Sequence, residues 1–204
     1  MKIIGLTGGS GAGKGEISRI FRDILNVPVL DTDEVAFEVT NSDECKRELA
    51  EYFGVEIILT DGGIDRAKLA VLAFSSKEAH TMLNRITHKY ILNRCIDWFA
   101  EMKHAGHTYT VLDAPLLYEA GAEKFCDAVV AVIANTELRI ARIMKRDEIG
   151  RHSAISRIKC QNSDDFFRRR ASYVIENNGD VNELECVVIN MFNEIKNETG
   201  KNNL

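Results

Sequence analysis

The run Gly8-Gly9-Ser10-Gly11-Ala12-Gly13-Lys14-Gly15 follows directly on the apolar stretch Ile3-Ile4-Gly5-Leu6. Its residue types suit one chemistry, the binding of phosphate. Glycines allow positive φ angles and let the backbone come close to a ligand. Successive N–H groups can then converge on an anion, and a helix starting near Lys14 adds its positive end. Lys14 supplies a full charge where the β- and γ-phosphates of a nucleotide would lie. Loops of this kind normally end Lys-Ser or Lys-Thr, the hydroxyl being a magnesium ligand. Here Gly15 and then Glu16 follow the lysine, so the loop predicts nucleotide phosphates and leaves open how the metal is held.

Three further groups could act on a bound phosphate. In Asp31-Thr32-Asp33 a carboxylate could orient an acceptor hydroxyl and take its proton; one of the two acids could equally cap a following helix. Asp113 precedes Ala114-Pro115-Leu116-Leu117-Tyr118-Glu119, and an acid ending an apolar strand beside a phosphate loop is a usual second contact to magnesium, directly or through water. The plain alternative is a turn-initiating Asp before proline. Arg142 and Arg146 stand four apart on one helix face, where two guanidinium groups could stabilise charge on transferring phosphates or remain ordinary surface arginines.

These groups need elements to hold them. Buried-looking strands are predicted at Lys2 to Leu6, Val27 to Leu30, Tyr109 to Leu112, Ala128 to Ile133 and Tyr173 to Ile175. Helices alternate with them, the pattern of a parallel sheet covered on both faces. After the loop, Ile17, Ile20, Phe21, Ile24 and Leu25 fall on one helical face, closed by Asn26 and Pro28. A mostly helical insertion carries helices over Asp43 to Phe53, Asp65 to Phe74, and from Ser76 through Met102. Asn135 is expected to cap a helix running to Asp147, and a short helix is expected near Ser153 to Cys160. Asp180 and Glu183 open a last helix that buries Leu184, Val187, Val188, Met191, Phe192 and Ile195. In such a sheet ligands gather at the carboxyl ends of the strands.

The composition suits a globular domain of 204 residues, with 45% hydrophobic and 28% charged residues. A formal charge of −5 gives no global sign of nucleic-acid binding. The stretch from Arg139 to Arg170 is nonetheless markedly basic, which fits a small polyanion better than a nucleic-acid track. The five scattered cysteines show no metal-ligand spacing and read as reduced thiols. Neither a signal segment nor an apolar run of membrane length is seen, so a cytoplasmic protein is expected.

The ordered motifs resemble those of dephospho-coenzyme A kinases. They are Leu6-Thr7-Gly8-Gly9, Asp31-Thr32-Asp33, Ile86-Thr87-His88, Pro115-Leu116-Leu117-Tyr118-Glu119, Arg142 with Arg146-Asp147, Arg157-Ile158 with Gln161, and Val174-Ile175-Glu176-Asn177-Asn178-Gly179. The resemblance covers the chain to about residue 195. It implies ATP-dependent phosphorylation of the ribose 3′-hydroxyl of dephospho-CoA, with Mg²⁺ accompanying ATP. It further implies Asp33 as base, and Lys14 and Arg142 on the phosphates with Arg146 nearby. Gly9, Ser10, Gly11, Ala12, Gly13, Gly15 and Glu16 would complete the ATP loop, and Asn177 and Gly179 would lie against the adenine. Thr7, His88, Leu116 and Glu119 would line the acceptor side. Asp113, through water, is the expected metal contact, with Glu16 facing outward or standing behind the ligands of the metal.

The implied fold is a phosphate-loop three-layer α/β/α core with a parallel sheet. Residues 1–33, 108–145 and 171–197 would form the nucleotide-binding core, 34–107 a helical acceptor insertion, 146–170 a short basic lid, and 198–204 a frayed tail. No partner beyond ATP and dephospho-CoA is expected, and the chain would be a monomer or weak homo-oligomer. Another small acceptor, such as a nucleoside monophosphate, or an impaired nucleotide-binding protein are the alternatives. Besides Gly15 and Glu16 there are two departures from the family pattern. Lys89 replaces a usual proline, and Ser172 an Asp before the last strand.

Overall fold

Seven residues, Lys2–Gly8, form the first strand, β1, and the chain turns through the glycine run into helix α1, Lys14–Asp23. A computed structural model describes residues 1–201, with side chains through residue 198. The strands that follow are β2 (Val29–Asp31), β3 (Tyr109–Asp113), β4 (Ala128–Ile133) and β5 (Tyr173–Glu176). The helices are α2 (Thr32–Thr40), α3 (Asp43–Phe53), α4 (Arg66–Ala73), α5 (Lys77–His104), α6 (Thr136–Asp147), α7 (Arg151–Lys159), α8 (Asp164–Arg170) and α9 (Val181–Lys201). The strands make one parallel sheet in the order β2-β3-β1-β4-β5. Register sets Leu6 beside Asp113, Gly8 beside Val132 and Ile133 beside Glu176, so the loop, Asp113 and Asn177 all leave the same carboxyl edge.

The chain divides into two units. The first joins Met1–Val29 to the chain from Gly106 onward and holds the sheet core. Ile17, Ile20 and Phe21 of α1 and Leu184, Val188 and Phe192 of α9 pack with Ile4, Leu6, Val111 and Val130 of the sheet. Phe192 sits edge-on to both Phe21 and Tyr109, at centroid distances of 5.7 and 5.3 Å. Burying an apolar face of this kind contributes roughly 1.5–3 kcal/mol per large side chain.

The second unit, Leu30–Ala105, is helical. Cys45, Leu49 and Phe53 of α3 pack with Leu69 and Ala73 of α4 and with Ala79 and Ile86 of α5. Lys89 lies within α5, which runs 28 residues without a break. A proline there would lack the N–H the helix ladder needs. The Lys89 Nζ instead pairs with Glu48 at 2.5 Å, and the Tyr90 hydroxyl donates to the same carboxylate at 2.6 Å. The Lys89 bond, then the Tyr90 bond, hold the Glu48 carboxyl below its ordinary value, while Tyr90 is pushed up to about 12 by donating to it.

Several boundaries differ from expectation for local reasons. The second strand begins at Val29 instead of Val27, because Val27 donates back to Phe21 O at the end of α1. Ile24 is exposed, since α1 has ended by Asp23 and Asn26 turns the chain with φ +53°. Asn135 occupies the cap position of α6 but makes no side-chain cap; its N–H donates to Asn178 Oδ1 at 2.7 Å. Helix α8 was not expected, because seven residues carry no helical repeat; Ser163 caps it, and Phe167 is its buried anchor. Val187 faces outward on α9. The tail expected to fray from 198 remains helical to Lys201, and 202–204 lie outside the described residues. The Ser172 hydroxyl accepts from the Val129 N–H at 3.1 Å. Among the described residues, no helix is long and apolar enough to cross a membrane.

Candidate active site

The loop is shaped by what crowds it. Gly13 caps α1 with φ +102°, a conformation that L side chains avoid, and a Cβ there would collide with the Asn177 side-chain amide. A Cβ on Gly9 would occupy the space taken by the Arg139 guanidinium. No side-chain cap is made at the start of α1 among the described residues, and the positive end of a helix favours an anion. The Lys14 ammonium makes one long bond to Gly8 O at 3.5 Å, which leaves most of its donor capacity for a ligand.

Arginines from α6 support this loop. Arg139 is 4% exposed; its Nε donates to Ser10 O at 3.0 Å, Nη2 to Gln161 Oε1 at 3.1 Å and Nη1 to Asp164 at 3.4 Å. Gln161 Oε1 also accepts from Ser10 N–H at 2.8 Å. The basic segment is thus clipped to the loop by one side-chain oxygen. Burial pushes the Arg139 guanidinium down from its ordinary value, with Asp164 opposing. Arg142 Nη1 donates to the carbonyls of Gly11, Ala12 and Asn177 at 3.2–3.3 Å, and its other guanidinium N–H groups have no protein acceptor among the described residues. The Asn177 side chain donates to Ala12 O at 2.8 Å.

Arg146 makes two bonds to Asp147 and a weak one, 3.4 Å, to Ser10 Oγ. Asp147 also pairs with Arg157. Its carboxyl is held at about 2 from an ordinary 3.8, chiefly by the Arg146 bond. A depressed carboxyl stabilises the fold above its unfolded value and loses that contribution only as pH falls toward 2. The link therefore persists at neutral pH.

Asp113 ends β3 and is buried; Ser18 Oγ of α1 donates to its Oδ2 at 2.6 Å. A Cβ on Gly15 would meet nothing within 4 Å. Glu16 turns to Arg19, which reaches it with Nη2 at 2.6 Å and Nε at 2.9 Å. Thr7 is fully buried and its hydroxyl lies 3.4 Å from Pro115 O. Leu116 is 63% exposed, and Glu119 accepts from Asn162 at 2.7 Å. Gly179 is exposed beyond β5. In the helical unit, Asp31 accepts from the N–H groups of Asp33 and Glu34 and so caps α2, which puts Asp33 in its first turn with an exposed side chain. His88 is exposed on α5.

Within the sheet unit the fold therefore gathers the loop, Lys14, Arg142, Arg146, Asp113 and Asn177. Sequence reasoning missed Arg139 and Ser18 as site residues and placed Gln161 only in a motif. Arg139 is one basic residue among many, and its signal would have been a charge flanked by the buried Ile140 and set against a glycine with no side chain. Arg139→Met, which keeps much of the volume, is expected to destabilise the loop support by on the order of 2–3 kcal/mol. It should weaken ATP binding and raise amide hydrogen exchange across 161–170; unchanged exchange there would show that the clip holds nothing.

The family profile described as Dephospho-CoA kinase matches residues 2–183. A dephospho-CoA kinase of Bacillus licheniformis is 37% identical, with 90% of this chain and 92% of the relative covered. The crystal structure of TT1252 from Thermus thermophilus superposes with a TM-score of 0.81 at 30% identity, covering 95% and 97% of the two chains. A dephospho-CoA kinase from Campylobacter jejuni shares the fold, with a TM-score of 0.74 at 22% identity over 98% and 100%.

Proposed function

The chain belongs to the dephospho-CoA kinase family, and from that premise we propose that Lys14, Arg142 and Asp33 carry its reaction. The protein is an enzyme that phosphorylates dephospho-CoA with ATP in coenzyme A synthesis. The observation that carries the assignment of residues is the convergence on one loop of a lysine and an arginine whose remaining donors have no protein acceptor among the described residues.

In this reading the loop N–H groups and Lys14 bind the β- and γ-phosphates. Arg142 is held by three carbonyls at one nitrogen and turns its other N–H groups to the phosphoryl group in transit. Asp33 accepts the proton of the acceptor 3′-hydroxyl. The oxygen bonds to the γ-phosphorus, the bond from that phosphorus to the bridging oxygen breaks, and ADP leaves with the electron pair. The transition state is loose, so orientation of the hydroxyl counts for more than basicity.

Asn177 supports the loop on the adenine side, together with Gly179, while Thr7, His88, Leu116 and Glu119 serve the acceptor. Residues 1–33, 108–145 and 171–197 act as the nucleotide core, 34–107 as the acceptor insertion and 146–170 as the lid, with the five free thiols fitting a reducing cytoplasm.

Kinases with this loop use Mg²⁺ alongside ATP. The donors present suit it: Asp113 is a hard oxygen ligand on the loop's edge, and Mg²⁺ takes one or two carboxylates together with substrate phosphates and water. When bound, the ion neutralises phosphate charge. A coupled ADP-release assay tests the reading. ADP release is expected only with dephospho-CoA present and is lost on chelation; faster release with a nucleoside monophosphate would overturn it.

A further inference from the structure

Gly15 deprives the loop of its hydroxyl, and the structure supplies one a turn later. Ser18 stands four residues after Lys14 on α1, on the same helix face. Helical serines commonly bond back to the carbonyl four residues before. Ser18 instead gives its single proton to Asp113 Oδ2, at 2.6 Å, a length typical of a charge-assisted bond to a carboxylate. Both residues are buried, at 4% and 5% exposure, so water competes little for the contact.

We propose that Ser18 is the positioning residue for the metal-binding carboxylate, standing in for the loop hydroxyl that Gly15 lacks. The inference rests on the reading of Asp113 as the metal contact. A strand-end carboxylate can rotate about two bonds, and a buried hydroxyl on one oxygen fixes the plane of the group. That sets the direction in which Asp113 presents its lone pairs. Mg²⁺ tolerates little departure from octahedral geometry, so orientation is worth affinity. No cluster of three or more candidate ligands occurs among the described residues, so one carboxylate has to be well aimed. Glu16, the other acid near the loop, is engaged by Arg19 and turned away.

The test uses Mn²⁺ as probe, titrated into the full-length enzyme with a non-hydrolysable ATP analogue and followed by electron paramagnetic resonance. Affinity for the same nucleotide is measured separately in EDTA. Ser18→Ala is expected to weaken Mn²⁺ binding about tenfold, with nucleotide affinity in EDTA unchanged. Adding Gly15→Ser on that background should recover most of the loss, because position 15 has open space for a side chain.

Unchanged Mn²⁺ affinity in Ser18→Ala overturns the proposal. So does a parallel fall of nucleotide affinity in EDTA, which marks general damage, and so does failure of Gly15→Ser to restore binding. Ser18→Cys keeps the volume with a weak donor and should lose Mn²⁺ affinity without loss of thermal stability. Asp113→Asn separates the premise from the inference. If it keeps full Mn²⁺ affinity, the metal reading of Asp113 fails; if it loses affinity while Ser18→Ala does not, the role of Ser18 alone fails.

Discussion

Asp33→Asn is expected to cut turnover by about 10²–10⁴-fold while leaving ATP affinity nearly intact. The substitution keeps size and polarity but removes the ability to take a proton. Local structure is expected to survive it, because capping of α2 is the work of Asp31, whose carboxylate accepts from Asp33 N–H at 2.8 Å. In the proposed reading the Asp33 side chain acts as base. A loose transition state needs little basicity until late, so part of the loss would come from a misoriented hydroxyl. Asp33→Glu should then recover little, since the carboxylate would be displaced by a methylene. Measuring kcat and the nucleotide dissociation constant for each variant decides the matter. Turnover at the unmodified level would remove Asp33 from the mechanism.

Lys14→Ala should lose both nucleotide affinity and turnover, the latter by about 10²–10³-fold, the scale for losing one preorganised charge at a site of developing negative charge. Among the described residues the Lys14 ammonium makes a single 3.5 Å bond, so its removal leaves almost nothing unpaired in the fold and thermal stability should barely change. Stability and function are thus expected to part company, opposite to Arg139→Met, where a buried guanidinium supports the loop itself. Lys14→Arg should rescue poorly. A guanidinium is larger, planar and forked, whereas the lysine ammonium is a compact point charge. A variant that binds ATP as tightly as the parent in a calorimetric titration would contradict the assignment.

Much of the frame could be read from order alone. The loop and the apolar face of α1 are written in adjacent residues, and β4 could be placed over Ala128–Ile133 because a run of small and β-branched residues there has no helical spacing. The turn chemistry of Asp31 was legible too, because a cap acts on N–H groups two and three residues away. What escaped was of two kinds. Helix α8 is too short to show a repeat, and its burial depends on Phe167 and its neighbour Phe166 meeting Tyr118, 5.4 Å from the Phe166 ring, some fifty positions earlier in the chain. The support of the loop escaped for the same reason.

The glycine run with Lys14, and the ordered motifs behind it, determined from sequence alone that this protein handles nucleotide phosphates and belongs among dephospho-CoA kinases. Their geometry is local: φ angles, a helix start and a charge at fixed spacing. Only the tertiary structure decided how the loop is held and that Ser18 reaches Asp113. Arg139 meets Ser10 across 129 positions, and Ser18 meets Asp113 across 95. A buried hydrogen bond between such partners is formed by packing the sheet against its helices, and no local pattern records it.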